Sequence, residues 1–161
     1  MGRRMLMALI ALIGVFVSLY LTLFKLGYIG TLACGSGSCE TVQLSKWGDF
    51  LGLPVAAWGV GYYAIVLVLA FAGVQERFAQ GTRLTSTLVL VTGAGLLYSL
   101  WLTYLELFVI HALCRWCLGS AAMTLVLFGL AVWDARAERR AQSAERRGVE
   151  RGSADPSLRS G

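Results

Sequence analysis

Residues 5–24 read MLMALIALIGVFVSLYLTLF, twenty residues without a charged side chain. Three further uncharged windows follow at residues 55–74, 84–105 and 116–133. A helix needs about 20 mostly apolar residues to cross the roughly 30 Å hydrocarbon layer of a bilayer. Only a helix closes its own backbone hydrogen bonds in lipid, and each window is about twice the length of a barrel strand. The windows therefore predict four membrane-spanning helices.

The composition agrees with a membrane bundle rather than a soluble domain. Of the 161 residues, 57% are hydrophobic and 14% are charged, whereas a soluble domain carries about 25% charged residues. We expect an all-α, integral membrane four-helix bundle over residues 1–133, with close helix contacts at Gly59-Val60-Gly61 and Gly93-Ala94-Gly95. The net charge of +5 does not indicate nucleic-acid binding, because seven of the fourteen basic residues follow Trp133.

The distribution of Lys and Arg around the spans predicts their orientation. Eleven basic residues lie at one side: Arg3, Arg4, Arg77, Arg83 and seven arginines of the tail. The other side has only Lys25, Lys46 and Arg115. We expect both termini in the cytoplasm, with the loop at 25–54 and the turn at 106–115 outside. The charged tail, 134–161, is expected to continue the last helix to about residue 147 and to be disordered from 148. We expect it to serve only as a topology anchor, and binding to anionic lipid is the alternative.

All four cysteines fall on the predicted outer side, as disulfide chemistry in an oxidising compartment requires. Cys114 and Cys117 form a C-x-x-C at the start of the fourth span, where the helix N-terminus and Arg115 favour a thiolate. Cys34 and Cys39 flank a Gly/Ser linker, which gives the mobility that thiol exchange needs. Because the abundant two-electron acceptor in lipid is a quinone, the cysteines predict an electron relay that ends on a membrane quinone.

Two other functions use the same cysteines. The four thiols together could form a Cys₄ zinc site. Alternatively, two inert disulfides could join the loops of a non-catalytic membrane scaffold. We expect no metal site, because the pairs lie in an extracytoplasmic loop and at a membrane face.

Four short motifs occur in a fixed order: Ser45-Lys46-Trp47-Gly48, Gly52-Leu53-Pro54, the heptapeptide YLELFVI at 104–110, and Cys114-Arg115-Trp116-Cys117. With the first-loop cysteine pair and four spans, this order resembles the vitamin K epoxide reductase family, and most closely its prokaryotic members. The resemblance covers about residues 6–133. DsbB-type oxidases have a similar layout, but they carry the C-x-x-C in the first outer loop.

The resemblance implies a quinone-reducing thiol-disulfide oxidoreductase of the bacterial cytoplasmic membrane. Cys117 would lie next to the quinone with Cys114 as its disulfide partner. Cys39 would pass electrons to Cys114, and Cys34 would receive them from a separate extracytoplasmic thioredoxin-like, DsbA-like protein. The quinone would be of the menaquinone, ubiquinone or vitamin K type.

The resemblance also implies a quinone site under a short amphipathic cap helix in the first extracytoplasmic loop, formed by residues 47–53. The predicted quinone-binding residues are Ser45, Trp47, Phe50, Leu53, Val55, Tyr104, Phe108 and His111. Animal members have an Asn near position 55, and Val55 therefore favours quinone reduction over reduction of vitamin K epoxide, which stays the alternative. Many relatives carry a fused thioredoxin-like domain, for which the 28-residue tail is too short. Many bacterial relatives have Pro where this chain has Arg115.

Three polar or aromatic features keep two interpretations each. His111 either hydrogen-bonds a quinone or assists a thiolate, or it reaches interfacial water. Glu106, with Lys25 or Arg115 as partner, is either a functional intramembrane acid or the polar end of the third span. An aromatic cluster either forms an interfacial belt or contributes to the quinone pocket; it comprises Tyr98, Trp101, Tyr104 and Trp116.

Overall fold

The computed structural model describes residues 2–33, 38–75 and 82–154, and four long helices account for most of them. These helices are α1 (Gly2–Lys25), α3 (Val55–Ala72), α4 (Thr82–Leu105) and α5 (Arg115–Ala154). Each contains a segment long and apolar enough to cross a membrane. The predicted all-α membrane bundle is confirmed.

The connection between α1 and α3 contains the short elements of the fold. A seven-residue helix, α2 (Ser38–Leu44), is followed by a 3-10 turn at Lys46–Gly48 and by two short antiparallel strands, β1 (Asp49–Phe50) and β2 (Leu53–Pro54). The predicted short loop helix therefore exists, but its predicted place at residues 47–53 is wrong. Leu51 and Gly52 both have positive φ angles, so the chain reverses there in a hairpin and cannot continue as a helix.

The four long helices pack as two closely associated pairs, α1 with α3 and α4 with α5, and α1 also contacts α5. Adjacent tyrosines of α3 fit against glycines of its neighbours. A Cβ at Gly14 of α1 would overlap the ring of Tyr63, and a Cβ at Gly95 of α4 would overlap the ring of Tyr62. These missing side chains let the helix backbones approach closely.

The glycine contacts predicted from the sequence are mostly confirmed. A Cβ at Gly59 would lie 2.9 Å from Ser18 Oγ, and a Cβ at Gly93 would lie 3.3 Å from the Phe128 ring. Gly61 is different, because a Cβ there would meet no described atom within 4 Å. The prediction of a close contact at Gly61 is wrong.

One end of the bundle, the Arg4 end, is joined by a single guanidinium. Arg4 of α1 donates from Nε to Asp134 Oδ2 at 2.8 Å, from Nη1 to the Gly73 carbonyl at 2.7 Å and from Nη2 to Thr85 Oγ1 at 3.1 Å, and it also pairs with Glu138. Its side chain is only 14% exposed. Because these partners belong to α4, α5 and the residue after α3, Arg4 connects all four long helices.

The other end, the thiol end, has an apolar core of its own. This outer cluster consists of Leu21, Phe24, Leu32, Cys39, Val42, Ala56 and Cys114. It packs α2 and the start of α3 against the end of α1 and the beginning of α5.

The last helix is longer than predicted. It continues without interruption to Ala154, so the expected disorder from residue 148 is wrong for residues 148–154. The rest of the tail, 155–161, lies outside the described residues.

Candidate functional site

The C-x-x-C pair stands at the start of α5. Cys114 immediately precedes the helix and is completely buried, whereas Cys117 lies in its first turn and is partly exposed. Both are free thiols. The backbone N–H of Cys117 donates to Cys114 Sγ at 3.4 Å, so the two sulfurs lie on the same side of the first turn.

The electrostatics of this turn favour a thiolate at Cys114. A hydrogen bond from the Cys117 thiol lowers the pKa of Cys114 below its ordinary value, and this effect exceeds the opposing effect of burial. Backbone N–H groups of Cys117 and Trp116 act in the same direction, while the nearby Glu106 carboxylate opposes them. Cys114 is therefore the sulfur prepared to form a disulfide, because the thiolate is the nucleophilic form.

The loop cysteine on α2 lies in the same apolar core. Cys39 is disulfide-bonded and completely buried, and it shares the outer cluster with Cys114, while Cys117 packs against the edge of that cluster. The other predicted loop cysteine, Cys34, lies outside the described residues. The structure thus places three of the four predicted relay cysteines around one core.

A cavity of about 330 Å³ opens beside Cys117, between the four long helices and the loop. Its walls are largely apolar and aromatic, and they include Leu21, Phe50, Val55, Ala56, Trp58 and Leu102. Gln43, Thr103, Glu106 and Cys117 supply polar atoms. Clefts of this size with a few convergent polar groups are typical of small-molecule sites, and a flat, apolar ring with polar substituents fits this lining.

Glu106 brings a carboxyl group to the thiols. Its side chain is 3% exposed, and Oε2 accepts a hydrogen bond from the Cys114 backbone N–H at 3.1 Å. The carboxyl also lies within hydrogen-bonding reach of the Cys117 side chain. Neither cation proposed from the sequence is its partner, since Lys25 bonds elsewhere and Arg115 is exposed.

A wide helical turn begins at Glu106. After α4 ends at Leu105, residues Glu106–Ile110 form one π-helical turn, which His111 closes in a left-handed conformation with φ 55°. The Glu106 carbonyl accepts from Ala112 N–H at 3.2 Å. A π turn inserts an extra residue into the helical register. Glu106 points inward one helical turn after Leu102, which also lines the cavity, while Leu107, Phe108 and Val109 are exposed on the outside.

The loop is tied over the cavity by a buried amide and a lysine. Gln43 of α2 is 5% exposed and places Nε2 3.7 Å from Cys117 Sγ. Its backbone carbonyl accepts from Lys25 Nζ at 2.6 Å, and Lys25 also pairs with Asp49 at 3.1 Å. A Cβ at Gly48 would overlap the Gln43 carbonyl oxygen. The end of α1, the loop helix and the hairpin are therefore held together.

A model of the vitamin K epoxide reductase family matches residues 5–132, a range that contains all four cysteines and all of the four uncharged windows except Trp133. The chain belongs to the vitamin K epoxide reductase family. It is thus an oxidoreductase of the quinone-linked thiol-disulfide or epoxide-reducing kind, with the helices of a multi-pass membrane protein.

Two of the quinone-binding residues predicted from resemblance to the vitamin K epoxide reductases, Phe50 and Val55, line the cavity. Ser45 is on the loop, where its Oγ donates to the Val42 carbonyl at 2.8 Å. Trp47 and Leu53 are 40% and 52% exposed. None of these last three is in the described cavity wall, and quinone binding by any of the five stays a prediction.

The three other predicted binding residues lie at the end of α4 and along the π turn that follows it. Tyr104 and Phe108 pack against each other with ring centroids 4.9 Å apart, and Trp101 stacks on Tyr104. All three rings are more than half exposed. His111 is exposed at the end of the π turn. These residues lie outside the described wall of the cavity, while Tyr98 of the same aromatic cluster lines it.

Several cavity residues of this vitamin K epoxide reductase homologue were not predicted. Tyr63 forms hydrogen bonds from Oη to Ser120 and Thr124 of α5, at 2.8–3.1 Å. Gln43 and Tyr62 also belong to the wall. Gln43 follows Cys39 by four residues, so a helix prediction for α2 would have placed both on one face. The tyrosines are embedded in apolar runs and have no comparable sequence signal.

Proposed function

We propose that the protein oxidises a separate extracytoplasmic thioredoxin-like protein, of the DsbA kind, and reduces a membrane quinone. Electrons pass from the loop pair, Cys34 and Cys39, to Cys114 and Cys117 and then to the quinone. The loop and the C-x-x-C face outside, and both termini are cytoplasmic, as the distribution of basic residues favours. Reoxidation of such a partner supports disulfide formation in secreted proteins.

One observation carries the proposal. Cys39 and Cys114 are buried in the same outer cluster, and Cys117 adjoins that cluster while it lines the cavity. The order loop cysteine, buried cysteine, cavity cysteine is the order in which a relay would pass electrons. A mixed disulfide between Cys39 and Cys114 would require only local rearrangement within one core, and thiol-disulfide exchange proceeds through such intermediates.

The protein's part in the reaction is to prepare and separate the thiols. The Cys39 thiolate attacks a Cys114–Cys117 disulfide at Cys114, which forms the mixed Cys39–Cys114 disulfide and frees the Cys117 thiol. Cys34 then attacks Cys39, so the loop pair is left oxidised while Cys114 and Cys117 are left reduced. The Cys114–Cys117 disulfide forms again when the two electrons pass to the quinone. The apolar walls around Cys117 keep water from the site where electrons leave the pair. A quinone would lie against Cys117, with Phe50, Val55 and Trp58 as apolar walls, and it would supply the two-electron acceptor.

Reduction of vitamin K epoxide is less well supported. Val55 lines the cavity where animal members have an Asn, and Val offers no hydrogen bond to a ligand oxygen. We therefore expect quinone turnover to exceed epoxide turnover in the same purified sample, and faster epoxide turnover would reverse this assignment.

The test uses the full chain in detergent with a ubiquinone or menaquinone analogue. Quinone absorbance is followed with a reduced thioredoxin-like protein or, separately, with a small membrane-permeant dithiol. Cys117→Ala should abolish turnover with both reductants. Cys39→Ala should abolish turnover with the protein and retain turnover with the dithiol.

Two outcomes would overturn the proposal. If Cys117→Ala turned over as fast as the parent, Cys117 would not deliver electrons to the acceptor. If no parent activity appeared and the cysteine variants only unfolded more easily, the chain would be a scaffold with structural disulfides.

A further inference from the structure

One carboxyl group in the cavity has no role in the relay described above. Among the described residues that line the cavity, Glu106 is the only one with an acidic or basic side chain. A carboxyl group at membrane depth is costly to keep, and such groups mark proton pathways or binding sites. Its position next to both thiols suggests that it takes part in their chemistry.

Among the described residues, the surroundings of Glu106 contain thiols and phenols but no cation. Cys114 and Cys117 approach it from the start of α5, and the other titratable groups of the cavity wall are Tyr62, Tyr63 and Tyr98. Within the described part of the chain, no salt bridge involves Glu106. No ion pair among these residues therefore fixes Glu106 as an anion, and its carboxyl group can gain or lose a proton.

The hydrogen bond to Cys114 does not explain why an acid is present. The Cys114 backbone N–H needs an acceptor oxygen, and the amide oxygen of a Gln would accept it equally well. A Gln cannot take up a proton. What the carboxylate adds is the ability to accept and release a proton beside Cys117.

We propose that Glu106 is a catalytic residue that accepts the Cys117 thiol proton and delivers it to the quinone oxygen. The inference rests on the function proposed above. As the pair is oxidised, the S–H bond of Cys117 breaks, the S–S bond to Cys114 forms, and two electrons leave for the quinone. One proton travels through Glu106. The other, released by Cys114 when it became a thiolate, is recovered from outer-side water, so two electrons and two protons reach the acceptor.

The decisive variant is Glu106→Gln in the full chain, which keeps the hydrogen bond to Cys114. With the small dithiol and a quinone analogue, we expect turnover to fall about 100-fold or more, the usual range for loss of a general acid-base group. The parent rate should decline as pH falls and Glu106 becomes protonated, whereas the slow Glu106→Gln rate should not show that decline. Glu106→Asp should recover part of the activity.

A second readout needs no quinone. In the reduced protein, a small alkylating reagent is applied, and labelling of each cysteine is measured by mass spectrometry. A carboxylate disfavours a neighbouring thiolate by charge repulsion, so Glu106→Gln should label Cys117 faster than the parent does. Cys114 should stay protected, because it is completely buried in the folded protein. Labelling of both cysteines would indicate unfolding instead.

Glu40→Gln is the matched control, because Glu40 is a loop carboxyl outside the cavity that accepts from Leu32 N–H at 3.3 Å. It should keep the parent rate, pH profile and labelling pattern. If the parent reduces quinone and Glu106→Gln does so at the same rate and with the same pH profile, the role of Glu106 is refuted. If the parent reduces no quinone, the proposed function fails, and the labelling difference still tests whether Glu106 acts on Cys117.

Discussion

Each end of the bundle buries one acidic side chain, but the two acids have different bonding partners. At the Arg4 end, Asp134 is 10% exposed and receives the Arg4 guanidinium at 2.8 Å. At the thiol end, Glu106 is more completely buried, and its bonding partners are a backbone N–H and a thiol. A carboxylate held by an arginine is fixed as an anion and joins helices. A carboxylate beside a thiol can exchange protons, so the first acid stabilises the fold and the second serves chemistry.

The largest loss of stability should come from removing the Arg4 guanidinium, the cation that distinguishes the Arg4 end from the thiol end. Arg4→Met removes the buried partner of Asp134 and leaves only the exposed Arg3 at 3.8 Å, and loss of a buried partner costs about 3–5 kcal/mol in comparable pairs. We expect a marked fall in unfolding temperature in a fixed detergent, while the folded protein keeps its thiol reactivity. The double variant Arg4→Met, Asp134→Leu should recover much of the loss.

Arg3→Met provides the control for that prediction. Arg3 lies 3.8 Å from the same carboxylate with a 42% exposed side chain, and exposed ion pairs contribute at most about 1 kcal/mol. Equal losses in the Arg3 and Arg4 variants would show that burial does not distinguish the two pairs.

A smaller loss of stability is expected from a change in the middle of the bundle, between the Arg4 end and the thiol end. Gly14→Ala would force a methyl group into the Tyr63 ring, and overpacking of this kind costs about 1–3 kcal/mol. Unfolding in mixed micelles of increasing denaturing detergent measures the difference. Gly61→Ala is the matched control, because no described atom lies within 4 Å of its Cβ position. A gain in stability for Gly14→Ala would show that the two helices can separate freely.

The smallest expected effect is a change in the pH at which the first thiolate forms at the thiol end. Because the Cys117 thiol lowers the pKa of Cys114, the reduced protein should form its first thiolate at a lower pH than an ordinary cysteine does. In Cys117→Ala that titration, followed by ultraviolet absorbance of the thiolate, should move to higher pH. Arg4→Met should leave it in place. An unchanged titration in Cys117→Ala would assign the lowered pKa to the backbone N–H groups instead.

The four long helices could be predicted from the sequence because a bilayer requires uncharged segments of a definite length. The proximity of Cys114 and Cys117 could also be predicted, since a C-x-x-C spacing places both on one helical turn, while their redox chemistry stays a prediction. The extension of α5 was missed because its charged composition indicated disorder. The segment nevertheless consists largely of Ala, Arg and Glu, which are strong helix formers, and it continues a helix that is already nucleated.

The positions of several cavity residues cannot be predicted from the spacing of apolar residues in the sequence. Glu106 shares a helical face with Ser99 and Leu102, which also line the cavity. The helical spacing places Glu106 on that face, but the sequence does not indicate that this face lines a cavity. Gln43 reaches Cys117 because residues 38–44 fold as a helix rather than as part of a mobile linker. Tyr62 and Tyr63 reach their positions through contacts with glycines on two other helices, which only the assembled bundle defines.

The length of α5 has a mechanical consequence. Its 40 residues form a helix about 60 Å long, roughly twice the thickness of the hydrocarbon layer. A stiff rod of this length begins at the cysteine pair and projects from the opposite face of the bilayer. Small changes of tilt at the redox centre would be amplified into displacements of several ångström at its far end, where a spin label or fluorophore could detect them.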